Sequence, residues 1–238
     1  LPYTKKLGIK FITQSIYCQQ LGVFHQDDFS KEIFQLFEKK LHRNLVRAYA
    51  FNEENTNMFE PKGELKINQI LDISQSFEII FEQTLKDRKK DFRRNSIENI
   101  RVIQETDIRK FIKIQKSNHS FTENLEMKYF QNFLTNKSIL NHIMQFSLKT
   151  NEEEILCSAL LLKTNKRIIL LSSARNKNIE TKGSFAFLIF KIIENFANEQ
   201  YIFDFEGSNI KGIQEFNNSF SAEMKHYCLF KSKLLQFF

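Results

Sequence analysis

From residue 100 onward the apolar periodicity switches between two spacings in an order that few folds can accommodate. Ile100–Ile103 reads as a strand, and helical spacing follows around Thr106–Ser117 and Leu125–Thr135. Ile139–Lys149, Ile155–Lys163 and Arg167–Ala174 read as three further strands. Gly183–Asn198 carries a helical stripe of Phe185, Ile189, Ile192/Ile193 and Phe196. Tyr201–Phe205 is a strand, Asn209–Ser219 a helix and Met224–Phe230 a last strand. The resulting β-α-α-β-β-β-α-β-α-β order is an antiparallel meander followed by a helix and a strand. It predicts a mixed α/β (α+β) sheet rather than a doubly wound parallel one.

The first hundred residues look like part of a similar unit. Ile9–Phe24 reads as extended, and Asp27 and Asp28, or Ser30, precede a helix with the stripe Phe29, Ile33, Leu36/Phe37 and Leu41. Leu45–Phe51 and Leu65–Leu71 are strand candidates, separated by a polar, turn-rich Asn52–Gly63. A helix is expected from Ser76 to about Arg94. The expected division is residues 1–96 and 97–238, two units sharing an interface, since no low-complexity linker separates them.

Composition narrows the function classes. With 6 Gly and 2 Pro in 238 residues, a sandwich of many short strands and tight turns is disfavoured. Cys18, Cys157 and Cys228 are few, odd in number and far apart, which fits a reducing, cytoplasmic setting better than a disulfide framework. No Cys-x-x-Cys pair exists and the five His residues are scattered, so no metal is assigned. No Gly-x-Ser-x-Gly elbow supports hydrolase chemistry, and no apolar run reaches the length of a membrane span. Cys157, within Ile155–Leu162, reads as a buried thiol rather than a nucleophile. The net charge of +7 favours anionic partners: phosphorylated cofactors, nucleic acid or anionic lipid.

Three stretches carry candidate chemistry. In Phe203-Asp204-Phe205-Glu206-Gly207-Ser208-Asn209, strand alternation puts Asp204 and Glu206 on one face. Gly207 permits a turn, and Ser208 or Asn209 can cap the following helix. Two carboxylates at the end of a strand can deprotonate or orient an attacking amine; a cap and a surface ion pair would look the same. The second stretch is the loop Arg175–Ser184. Its Arg175, Lys182, Gly183 and Ser184 at a helix N-terminus could seat a phosphate, or form a solvated loop. The third is Lys86–Arg94, with six basic residues of nine on an expected helix, either a phosphate-binding face or a solvated one with internal Asp pairing.

The string Tyr201–Ser208, then Gly212-Ile213 and Phe216, then Phe220-Ser221-Ala222 and Tyr227, resembles the C-terminal signature of the Fem-like branch of the GNAT acyltransferases. Leu1-Pro2-Tyr3, Lys5-Lys6, Gly8-Ile9-Lys10 and Gln19–Phe24 resemble the matching segment in uncharacterised bacterial members, so the likeness runs end to end. Those relatives carry a further segment before the Leu-Pro, and one is expected here.

The resemblance implies two GNAT-like units packed together, and an N-acyl or aminoacyl transfer in which an amine attacks an activated carbonyl directly. It implies no tightly bound cofactor, with acyl-CoA or aminoacyl-tRNA as co-substrate. The acceptor would be a small-molecule or lipid-linked amine, in cell-envelope synthesis. Glu206 or Asp204 would be the base or amine anchor, Tyr227 a proton donor, and Lys182–Ser184 with Arg175 the donor contacts. Gln19, Gln20 and Ser208 would line the acceptor side. The chain departs from the family pattern twice. Ser221 stands where the Phe-Gly-Ala corner has Gly, and the glycine-rich pyrophosphate loop is not reproduced. With the basic run, that leans toward a tRNA-borne donor. The alternative is a catalytically silent GNAT-like module that binds nucleotide, RNA or protein.

Overall fold

The computed structural model describes residues 1–15, 17–25, 30–105, 109–118, 123–179, 181–207 and 209–233, without the side chains of 116–118 and 123–128. In chain order the elements are β1 (Tyr3–Lys6), β2 (Ile9–Ile12), α1 (Lys31–His42), β3 (Tyr49–Phe51), α2 (Glu53–Phe59), β4 (Glu64–Asp72), α3 (Phe77–Gln83) and α4 (Lys86–Ile97). There follow β5 (Ile100–Glu105), α5 (Arg109–Asn118), α6 (Glu123–Thr135), α7 (Lys137–Leu140), β6 (Ile143–Thr150), β7 (Ile155–Lys163) and β8 (Arg167–Arg175). The last are α8 (Ser184–Phe196), β9 (Ile202–Asp204), α9 (Lys211–Asn218) and β10 (Glu223–Phe230). Chain contacts divide these into unit 1 (1–68, 207–209 and 224–238) and unit 2 (69–206 and 210–223). The boundary expected at 96/97 falls inside unit 2, because α3 and α4 pack on α8 through aromatic side chains.

Unit 1 holds the β1–β2 hairpin, with Tyr3 opposite Ile12, and the strand order β3-β10-β4. Its core gathers Phe34, Leu41, Tyr49, Phe51, Phe59 and Cys228. Ser30 caps α1 by accepting from the Ile33 N–H, and Glu32 in the first turn and Lys39, Lys40 and His42 in the last complement the helix dipole. Of the expected α1 stripe, Leu41 is buried and Phe37 packs against the core, while Phe34 is buried in place of Ile33, which faces solvent with Leu36. Asp27, Asp28 and Phe29 lie outside the described residues. The stretch expected to be turn-rich contains α2. The Asn52 side chain accepts from the Asn55 N–H at 2.7 Å, and Glu53 and Glu54 fill the first turn, so a strong cap outweighs a poor helix composition.

Unit 2 contains the strand order β4-β9-β8-β7-β6-β5. β5 through β8 form an antiparallel meander, β9 joins β8 in parallel, and β4 pairs β9 antiparallel. This is the mixed α/β arrangement expected of the meander-helix-strand order. α8 has every expected stripe residue buried, together with Ala186, Phe187, Leu188 and Phe190. A helix apolar on all sides belongs in a core. The single helix expected from Ser76 to Arg94 is two. Thr84 and Leu85 are extended, the Thr84 hydroxyl donates to the Phe81 carbonyl, and the Leu85 N–H donates to Ser219. The start of the expected strand Ile139–Lys149 is the short helix α7, capped by Asn136.

The abundant phenylalanines explain how a nearly all-polar helix is held in place. α4 carries one aromatic residue, Phe92, whose ring meets Phe81 at 5.1 Å and Phe187 and Phe190 at 5.3 Å. Aromatic pairs at these spacings add to the ordinary gain from apolar burial. Phe92 therefore fixes the roll of α4 and so decides where its basic residues point. Ser221 has φ 62. That is a left-handed backbone, which glycine adopts most easily, and the Ser221 hydroxyl donates to the Gln83 carbonyl at 2.5 Å. Among the described residues no helix is long and apolar enough to cross a membrane.

Candidate functional site

Two stretches that are distant in sequence meet in unit 2. α4 and the loop from the end of β8 to the start of α8 line one open cavity of about 1240 Å³. Its described lining includes six cations, Arg88, Lys90 and Arg94 from α4 and Arg175, Lys177 and Lys182 from the loop, against two acids, Asp87 and Asp91. The clamp between the two stretches is Asn95, which is buried and donates to the Asp91 carbonyl at 2.8 Å and the Lys182 carbonyl at 3.2 Å.

The cavity wall alternates cation and ring. The Arg88 guanidinium lies 5.5 Å from the Phe216 ring centre, Phe216 stacks on Phe185 at 5.6 Å, and the Arg175 guanidinium lies 5.0 Å from Phe185. Cations over aromatic faces are held by the ring quadrupole without losing their charge. Such a wall holds two guanidinium groups in fixed positions beside the cavity.

The N-terminus of α8 opens into this cavity. Gly183 is its N-cap residue at φ 81, with no side-chain cap. A Cβ at Gly183 would lie 2.5 Å from the Asp91 Cγ, so the glycine satisfies both a left-handed backbone and a close approach of Asp91. Ser184, a cavity residue, turns its hydroxyl to the Cys157 thiol. Cys157 is fully buried, and burial pushes its thiol up to about 12, which leaves it protonated and inert at neutral pH. Lys182 and Arg175 are exposed. Of the four expected donor contacts, the structure thus brings all to one cavity and adds Arg88, Lys90 and Arg94, whose neighbourhood needs a contact across 87 residues of chain.

The carboxylate pair has a different geometry from the expected one. β9 ends at Asp204 and Glu206 is left-handed, φ 56, so strand alternation fails and the two do not stand side by side on one strand face. Instead the Glu206 N–H donates to Asp204 Oδ1 at 2.9 Å, while Arg167 donates to Asp204 Oδ2 at 2.5 Å. Asp204 is 4% exposed. It anchors the turn and is committed to Arg167, which places it as a positioning group for Glu206. Glu206 has its carboxyl pushed up to about 8, first by burial and then by the negative charge of Asp204.

Topology relates Glu206 to the cavity. β8 and β9 are parallel, with Ile169 opposite Asp204, so their C-terminal ends lie at the same edge. β8 then runs on to Arg175 beyond the end of β9. From Ile169, level with Asp204, β8 continues six residues to Arg175, about 20 Å of strand at 3.3 Å per residue, shortened by the irregularity between Leu170 and Ser172. The edge where parallel strands end and separate is where open α/β sheets place ligands.

The other expected residues lie in unit 1. The Gln19 side chain donates to the Gly207 carbonyl at 3.2 Å, and Gln20 accepts from the Glu53 N–H at 3.0 Å. Both amides hold backbone in place. Tyr227 is 8% exposed on β10. Ser208 lies outside the described residues, and α9 is preceded by Ile210 at its N-cap rather than by Asn209. Among the described residues no cluster of three or more His, Cys, Asp or Glu is placed to hold a metal ion.

No protein-family profile and no curated protein sequence matches the chain. Solved structures do. FemX aligns over 99% of this chain and 85% of its own, with TM-score 0.65 and 11% identity. The C-terminal domain of a candidate lysylphosphatidylglycerol synthetase from Agrobacterium fabrum aligns over 95% of this chain and 79% of its own, with TM-score 0.62 and 12% identity. A GNAT-family acetyltransferase from Colwellia psychrerythraea aligns over 88% and 76%, with TM-score 0.51 and 11% identity. Across such low identities it is architecture that is held in common, and the chain has the fold seen in FemX, in that synthetase domain and in that GNAT-family acetyltransferase.

Proposed function

We propose that the chain is an N-acyl or aminoacyl transferase whose cavity between α4 and the β8–α8 loop takes the phosphate-bearing part of an activated donor, with Glu206 as the base toward an amine acceptor. The observation that carries the proposal is the convergence of six cations and two stacked rings on the N-terminus of α8. Phosphate contacts would come from Arg88, Lys90, Arg94, Arg175, Lys177 and Lys182, with Arg88 and Arg175 held in place by the Phe216 and Phe185 rings. The donor is acyl-CoA or aminoacyl-tRNA; in both, a phosphate anchor lies some distance from the reactive carbonyl, as the span from cavity to Glu206 requires.

The chemistry follows from the pKa. A carboxylate near 8 matches an α-amino group, so the proton passes from ammonium to Glu206 at little cost in free energy. The freed amine attacks the donor carbonyl, an amide bond forms, and the C–S or C–O bond to the carrier breaks. As the amide forms, the nitrogen loses its second proton; the leaving sulfur or oxygen takes a proton from Tyr227, its proposed donor, and the nitrogen's proton restores the Tyr227 hydroxyl. The acceptor is a small-molecule or lipid-linked amine, with Gln19, Gln20 and Ser208 proposed on its side.

Arg88→Gln/Arg94→Gln, measured by donor titration at 50 and 200 mM salt, is expected to weaken donor binding at least tenfold and to flatten its salt dependence, because each lost phosphate contact removes about one unit from the salt slope. Unchanged affinity and slope in the folded double variant would remove the cavity from the mechanism. A non-catalytic binding module is the second reading, favoured by the missing glycine-rich loop. It predicts the same loss of binding but no amide product from any donor and amine.

A further inference from the structure

The Asp91 carboxylate occupies an unusual place for an acid in a cation-lined cavity. It is 5% exposed and packed against Gly183 at the first turn of α8, where only a glycine leaves room for it. Oδ2 lies 2.9 Å from Arg88 and Oδ1 lies 3.3 Å from Arg94. Its position is fixed from behind, because Asn95 ties the Asp91 carbonyl to the Lys182 carbonyl and is itself 1% exposed. An anion flanked by two guanidinium groups at a helix N-terminus is the environment in which a phosphate group is bound.

We propose that Asp91 is a resident anion at the phosphate seat, which a donor phosphate must displace from Arg88 and Arg94 in order to bind. This rests on the reading of the cavity as a donor-phosphate site and adds a selection rule to it. A group with one negative charge gains little by exchanging with a carboxylate that is already in place. A pyrophosphate or other multiply charged phosphate brings more charge to the same two arginines and to Lys182, and wins the exchange. Asp91 also explains how the loop holds its shape with a single glycine: the carboxylate supplies the negative charge that the α8 N-terminus lacks from a side-chain cap.

The test is calorimetric titration of the full chain with inorganic pyrophosphate, comparing wild type with Asp91→Asn and, as a smaller replacement, Asp91→Ser. Both variants should melt at a lower temperature, having lost two ion pairs, and both should bind pyrophosphate about tenfold more tightly or better than wild type, since the competing charge is gone. Wild type that binds as well as or better than the folded variants overturns the resident-anion role and leaves the donor site standing. Failure of wild type and variants alike to bind overturns both.

Discussion

Glu206→Gln should lower the rate of amide formation by about two orders of magnitude or more while making the protein more stable at alkaline pH. The first effect is the usual contribution of a general base. The second follows from the position of the pKa. The Glu206 carboxyl stands at about 8 in the folded chain against an ordinary 4.5. Below pH 4.5 the group is protonated folded or unfolded, and the associated stability is fully present. Between 4.5 and 8 the unfolded chain releases the proton and the folded chain keeps it, so stability is lost as pH rises, and above 8 the loss is complete. At about 1.4 kcal/mol per unit, and allowing for partial exposure, the wild type should lose about 3 kcal/mol across that window that the variant does not. Chemical denaturation at pH 5 and pH 9 reads this directly. Parallel stability curves for the two proteins would show that Glu206 is an ordinary exposed carboxylate, and a base role at neutral pH would lose its physical support.

The second large effect concerns the residue that follows. A Cβ on Gly207 would run into the Ile67 carbonyl oxygen and approach the Gln19 Nε2 to 2.8 Å. The obstacle is backbone of β4, which cannot rotate away as a flexible side chain can. Gly207→Ala should therefore cost about 3–5 kcal/mol, at the upper end for overpacking, and abolish activity by shifting the turn that presents Glu206. Urea unfolding of the variant measures it. A cost under about 1 kcal/mol would mean that the approach of Gly207 to β4 is looser than described.

The parts of this fold that could be read in the sequence are those set by local pattern. The α8 stripe, the meander of β6, β7 and β8, and the short β9 ahead of α9 each follow from apolar spacing within a few residues. The grouping of the β8–α8 loop residues was also local, since Arg175, Lys182 and Gly183 stand together in sequence. What could not be read was the partner of that loop. The run Lys86–Arg94 looks the same whether solvated or functional, and what turns it toward α8 is Phe92 meeting Phe187 and Phe190 about a hundred residues away. The internal Asp pairing is present, Asp91 with Arg88 and Arg94, and the same arginines line the cavity. The carboxylate pair shows another limit. Alternation assumes a strand that continues, and the left-handed Glu206 ends it, which separates an anchored Asp204 from a Glu206 with a raised pKa. α2 was hidden because its stability comes from a cap and first-turn charges rather than an apolar stripe.

The central claim is that this fold binds an activated donor through the cations around the start of α8. It is tested most directly by thermal unfolding of the full chain with acetyl-CoA in one arm and an aminoacyl-tRNA in the other, each at low and high salt. At least one donor is expected to raise the melting temperature, salt to erode the effect, and Arg88→Gln/Arg94→Gln to abolish it. Absence of stabilisation by either donor, or stabilisation that the double variant retains, would contradict it.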